Sequence, residues 1–113
     1  MKPETRDAQL RGSMLRSAKT FGDRADNGWF AATKLAIAAR DADRAGAADE
    51  THAGRLIDDL IEAGMLAEKT RQPGVALAAS DLRHRLVRIT DLGWKWWAGQ
   101  IDPVPGIDDG RDA

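Results

Sequence analysis

The stretch Thr51-His-Ala-Gly-Arg-Leu-Ile-Asp-Asp-Leu-Ile-Glu-Ala-Gly-Met-Leu-Ala-Glu-Lys-Thr-Arg71, joined through a loop to Asp81-Leu-Arg-His-Arg-Leu-Val-Arg-Ile-Thr-Asp-Leu-Gly93, decides how this chain folds. Leu56, Ile57, Leu60 and Ile61 recur at the spacing of one helical face, so the first part predicts an amphipathic helix. Asp49 and Glu50 stand at its start, where carboxylates suit the unpaired N–H groups of a first turn. Gly64 falls where a left-handed glycine ends a helix. Met65 to Thr70 predicts a short strand and Arg71-Gln-Pro-Gly74 a turn, with Val75-Ala-Leu-Ala-Ala79 unusually apolar beyond it. From Arg83 to Thr90 two sets alternate, Arg83, Arg85, Val87 and Ile89 against His84, Leu86, Arg88 and Thr90, which is the period of a strand. A last helix over Asp91–Gly99, capped by Thr90 or Asp91, closes the stretch.

Outward toward the N-terminus, Ala8, Leu10, Met14, Leu15, Ala18 and Phe21 form a helical stripe within Thr5–Phe21, with Arg6, Arg11, Arg16 and Lys19 on the other faces. Gly22-Asp-Arg-Ala-Asp-Asn-Gly28 is turn chemistry that stops this helix. Trp29 and Phe30 then predict a short extended segment that buries aromatic surface. A second helix begins near Ala31 or Thr33, with Thr33 as a candidate cap, and runs to about Asp43 before a break at Gly46. The chain of 113 residues thus predicts one domain over 5–101, with a loose N-terminus at 1–4. Residues 102–113 are rich in Pro, Gly and Asp and predict a disordered acidic tail.

Cysteine is absent, which excludes disulfides, thiolate zinc sites and a cysteine nucleophile. No apolar run approaches the roughly 20 residues that span a bilayer, and residues 1–20 hold no signal-peptide core. A soluble cytoplasmic protein with no membrane partner is the expectation. Net charge is only −1, but it is unevenly spread: residues 1–24 carry +3, 48–62 carry −4, 63–101 carry +3 and 102–113 carry −3. A near-neutral total limits non-specific affinity for a polyanion, because that affinity scales with the phosphates neutralised.

The order helix, helix, helix, strand, strand, helix predicts a mainly α fold with a small β-hairpin, an α+β domain of winged helix-turn-helix type. Arg55 to Leu66 resembles the recognition helix and first wing strand of MarR-type regulators. Asp81-Leu-Arg83 and Arg88-Ile-Thr-Asp-Leu-Gly93 resemble that family's Asp-x-Arg wing tip and its closing Leu-Thr-x-x-Gly. The resemblance implies a bacterial or phage transcription regulator that binds double-stranded DNA as a homodimer, through its third helix and its wing. Carried over by position, Thr51, His52 and Arg55 would face the groove, and Arg83 and Arg85 would touch phosphates. Lys69, Arg71 and Arg88 would be further backbone contacts.

Other readings stand beside this one. Arg83, Arg85 and Arg88 also suit a solvated strand face. The third helix sets Arg55 against Asp49, Glu50, Asp58, Asp59 and Glu62, so DNA affinity would rest mainly on the wing, or the acidic helix would dock a protein partner. His52 and His84 have no second ligand at metal spacing, and Asp58, Asp59 and Glu62 read as a solvated face. No catalytic constellation, metal site or cofactor motif is evident, and no enzyme activity is expected. Trp94, Trp96 and Trp97 cannot share one helical face. Trp94 and Trp97 are expected to point into the core, leaving Trp96 to a dimer interface that the three together would anchor.

Overall fold

The computed structural model describes residues 3–25, 27–42, 50–70, 82 and 85–108. Among them are four helices and a three-stranded antiparallel sheet, an α+β arrangement. Helix α1 (Pro3–Arg24) buries Leu10, Met14, Leu15 and Ala18 along one face, as the apolar spacing predicts. The aromatic lead-in becomes a strand, β1 (Phe30–Ala31), with Phe30 in the core. In α2 (Thr33–Ala42) the Ala32 carbonyl accepts the first helical bonds, from Leu35 and Ala36, so Thr33 lies inside the helix and not at its cap.

Helix α3 (Glu50–Glu62) buries Ala53, Leu56, Ile57 and Leu60 against α1 and α2. Its end is the glycine stop expected there. Gly64 has φ +81°, its N–H reaches the Ile61 carbonyl at 3.0 Å, and the Met65 N–H reaches the Leu60 carbonyl at 2.9 Å. The chain leaves directly into β2 (Leu66–Thr70), which pairs with β3 (Arg85–Ile89). β3 lies in the centre, in the order β1-β3-β2. Phe30, Val87 and Glu68 stand in one cross-strand row, and Ala31, Leu86 and Lys69 in the next. Since neighbours along a strand alternate, the inward face carries Phe30, Val87, Arg85, Glu68, Leu66 and Ile89, and the outward face carries Ala31, Leu86, Arg88, Ala67 and Lys69.

Helix α4 (Asp91–Trp97) is capped by Thr90, whose Oγ1 accepts from the Gly93 N–H at 3.0 Å and donates to the Gly64 carbonyl at 2.6 Å. Its phase overturns the expectation for the tryptophans. Gly93 and Trp96 face inward, while Trp94 and Trp97 stay 43% and 41% exposed. The cause is a close approach: a Cβ on Gly93 would lie 2.4 Å from the Met65 carbonyl oxygen, so this side of the helix can press onto the start of β2. Trp96, one turn on, is thereby delivered to the core.

A second correction concerns the C-terminal segment. Residues beyond Trp97 return along α1, where Ile107 is buried, the Asp108 N–H donates to the Ala8 carbonyl at 3.0 Å and Arg11 donates to the Gly106 carbonyl at 3.0 Å. The composition of 102–113 predicts a loose tail, yet the part through Asp108 is packed. Among the described residues no helix is long and apolar enough to cross a membrane.

Candidate nucleic-acid interface

Thr51, Arg55, Asp58 and Glu62 are the exposed side chains spaced four, three and four apart, so they form the solvent stripe of α3. Thr51 and Arg55 occupy its N-terminal half, the part that a reading helix presents to base edges. His52 does not join them. It is half-buried and its Nε2 donates to the Asp7 carboxylate of α1 at 2.8 Å, so the expected groove contact is instead a tie between two helices.

The acidity of α3 is largely matched within the fold. Asp59 accepts from Arg11 at 2.7 and 3.1 Å. Asp58 accepts from Arg85 Nη2 at 2.6 Å, and Arg85 also pairs with Glu68. Glu62 is exposed and carries no ion pair among the described residues. Asp49 lies outside them.

Arg85 departs most from its expected role. It shares the inward face with Val87, is 7% exposed, and spends its donors on Asp58 and Glu68. Burial pulls its pKa down, but the hydrogen bonds and charges of the two carboxylates outweigh burial and raise it above the ordinary guanidinium value. It is a permanent internal cation and is not displayed to a phosphate backbone.

The outward face of the sheet carries the displayed cations. Lys69 and Arg88 are exposed there, and the Lys69 ammonium lies 4.7 Å from the centre of the Trp29 ring. Strand alternation sorts the charges: Glu68 and Arg85 turn inward and match each other, while Lys69 and Arg88 turn outward. Arg71, Arg83 and His84 lie outside the described residues, as do Val75–Ala79.

Trp94 and Trp97 make an exposed pair with ring centres 6.4 Å apart, and the Lys19 ammonium sits 4.3 Å from the Trp97 ring. Trp96 is buried and so cannot anchor an interface.

Sequence reasoning passed over Arg11, Asp7 and Leu82. Arg11 and Asp7 act on partners 48 and 45 positions away, for which no local signal exists. Leu82 is fully buried and ties the segment ahead of β3 to the core. Its position between Asp81 and Arg83 drew attention to the charges instead. Among the described residues no three metal-ligating side chains come together. No protein-family model, no curated protein and no solved structure matches this chain.

Proposed function

We propose that this protein is a winged helix-turn-helix, MarR-like transcription regulator of bacterial or phage type that binds duplex DNA in the cytoplasm as a homodimer. The element order α1-β1-α2-α3-β2-β3-α4, with β3 between β1 and β2, is the order such a fold needs. The observation that carries the functional reading is the sorting of charge. Internal pairing with Arg85 and Arg11 takes up Asp58 and Asp59, which would otherwise repel phosphates. Thr51 and Arg55 remain on the open half of α3, and Lys69 and Arg88 on the open face of the sheet.

In this reading Arg55 reads a base edge, a contact worth about 1–3 kcal/mol when bidentate to guanine. Lys69 and Arg88, with Arg71 and Arg83 of the connecting loop, hold the backbone. The test is fluorescence anisotropy on random and genomic duplexes at low salt. Binding is expected, Arg55→Ala should weaken it selectively on the preferred sequence, and Lys69→Ala with Arg88→Ala should weaken it on every sequence. Absence of binding to all duplexes at low salt would sink the reading.

The exposed Trp94–Trp97 pair favours a second reading, a protein-docking module. Capture of a protein partner that survives nuclease treatment and is lost in Trp94→Ser/Trp97→Ser would support that alternative.

A further inference from the structure

We propose that residues 101–108 are a strap that competes with nucleic acid for the basic side of α1 and so sets the affinity of the chain for DNA. This rests on the DNA-binding reading above.

The docking groove is built for the strap. Gly12 lies in the interior of α1, where glycine is a poor helix former. A Cβ there would stand 1.9 Å from the Asp108 carbonyl oxygen, so only glycine lets the strap lie this close. Ile107 is 6% exposed, and Val104 and Ile101 pack partly against the same core. The polar contacts are equally directed. Arg11 donates to the Gly106 carbonyl at 3.0 Å and Arg16 to the Asp108 carbonyl at 3.4 Å, while the Asp108 N–H donates to Ala8.

The charges are complementary. Helix α1 holds Arg6, Arg11, Arg16, Lys19 and Arg24 against Glu4, Asp7 and Asp23. Residues 102–113 hold Asp102, Asp108, Asp109 and Asp112 against Arg111. The strap's position makes this matter for binding. Asp108 sits on Ala8, and the adjacent Asp7 receives His52 from α3. The strap therefore brings its acidic end beside the N-terminal half of α3, where Thr51 and Arg55 emerge. Arg11 is shared between Asp59 of α3 and the strap.

A docked strap occupies two guanidinium groups and adds negative charge next to the reading helix. Its release returns both cations to solvent and removes that charge, and a polyanion gains from each cation it can neutralise. DNA and strap are thus mutually exclusive occupants of the same side of α1.

The chain has no cysteine, so an engineered pair is free of competing thiols. The Ala8 and Asp108 backbones are hydrogen-bonded at 3.0 Å, close enough for a disulfide between their side-chain positions. In full-length Ala8→Cys/Asp108→Cys, oxidation locks the strap and reduction frees it, with the charge otherwise identical. Anisotropy against a random duplex at low salt should show the reduced form binding about tenfold tighter, with a salt slope steeper by about one to two. Gly12→Ala, folded by circular dichroism, should bind tighter than the unaltered chain. Equal, measurable affinity in both redox states, or no gain in folded Gly12→Ala, overturns the strap and leaves DNA binding standing. No binding by any form overturns the DNA-binding reading and the competition with it.

Discussion

Arg85 reaches Asp58 on α3 and Glu68 on β2 from within the core, so one side chain joins helix, edge strand and central strand. Removing it leaves two carboxylates facing each other and a gap where its stem lay. Arg85→Ala should cost about 2–4 kcal/mol in urea unfolding. Asp58→Asn should cost less than about 1 kcal/mol, because Asp58 is half exposed and Glu68 remains to pair Arg85. The pKa of Arg85 is raised, so its stabilising effect is complete below the ordinary guanidinium value and fades only as pH climbs past the elevated one. Between pH 7 and pH 10 the difference between Arg85→Ala and the unaltered protein should therefore stay constant, and a difference that shrinks over that interval would contradict the assignment. The tryptophans make a parallel case. Trp96→Ala should cost about 3–5 kcal/mol, as truncation of a buried aromatic does. Trp94→Ala and Trp97→Ala should each cost about 1 kcal/mol or less in the monomer. The opposite ranking would mean that α4 is turned the other way.

The phase of α4 is set where it begins, and that is the point to test at the scale of the element. Gly93→Ala drives a methyl group against the Met65 carbonyl and Ile89, so it should destabilise although alanine is the better helix former. Thr90→Ala removes the cap and the bond to Gly64, at about 0.5–2 kcal/mol. Calorimetric melting of the two variants should show both losses, and a stabilised Gly93→Ala would refute the close approach. The same element shows where sequence reading succeeds and where it stops. The stripe of α3, the stop at Gly64, the alternation in β3 and the Thr90 cap are local patterns, and they are legible. The phase of α4 depends on a backbone contact between Gly93 and Met65, which are 28 positions apart, and nothing near Trp94 encodes it. Alternation already put Arg85 on the face of Val87. Only the positions of Asp58 and Glu68 reveal that this face is inward and that an arginine can be accommodated there. The strap is the extreme case, since Pro, Gly and Asp read as loose chain until a notch at Gly12 meets Ile107 from the other end of the molecule.

Across the whole molecule, the exposed apolar surface bears on whether two copies associate. Trp94, Trp97 and Leu92 are each a little over 40% exposed, and the first two form a ring pair. A tryptophan offers about 150–250 Å² in all, so the open part of this pair is on the order of 200 Å². A stable interface takes about 800 Å² from each partner. The pair can therefore serve as the anchor of a dimer but not as its whole extent, and the strap already covers part of the adjoining helix α1. Aromatic anchors at the centre of an interface contribute about 2 kcal/mol or more each, so losing two of them shifts a weak dimer by orders of magnitude. Sedimentation velocity across a concentration series should show a dimer that dissociates on dilution. Trp94→Ser/Trp97→Ser should stay monomeric throughout that series, with its melting temperature at low concentration little changed. Because a dimer meets two half-sites, the unaltered protein should bind a palindromic duplex cooperatively while the double variant binds each half-site independently. Retention of the dimer in that variant would place the interface elsewhere and return Trp94 and Trp97 to the docking of a different protein.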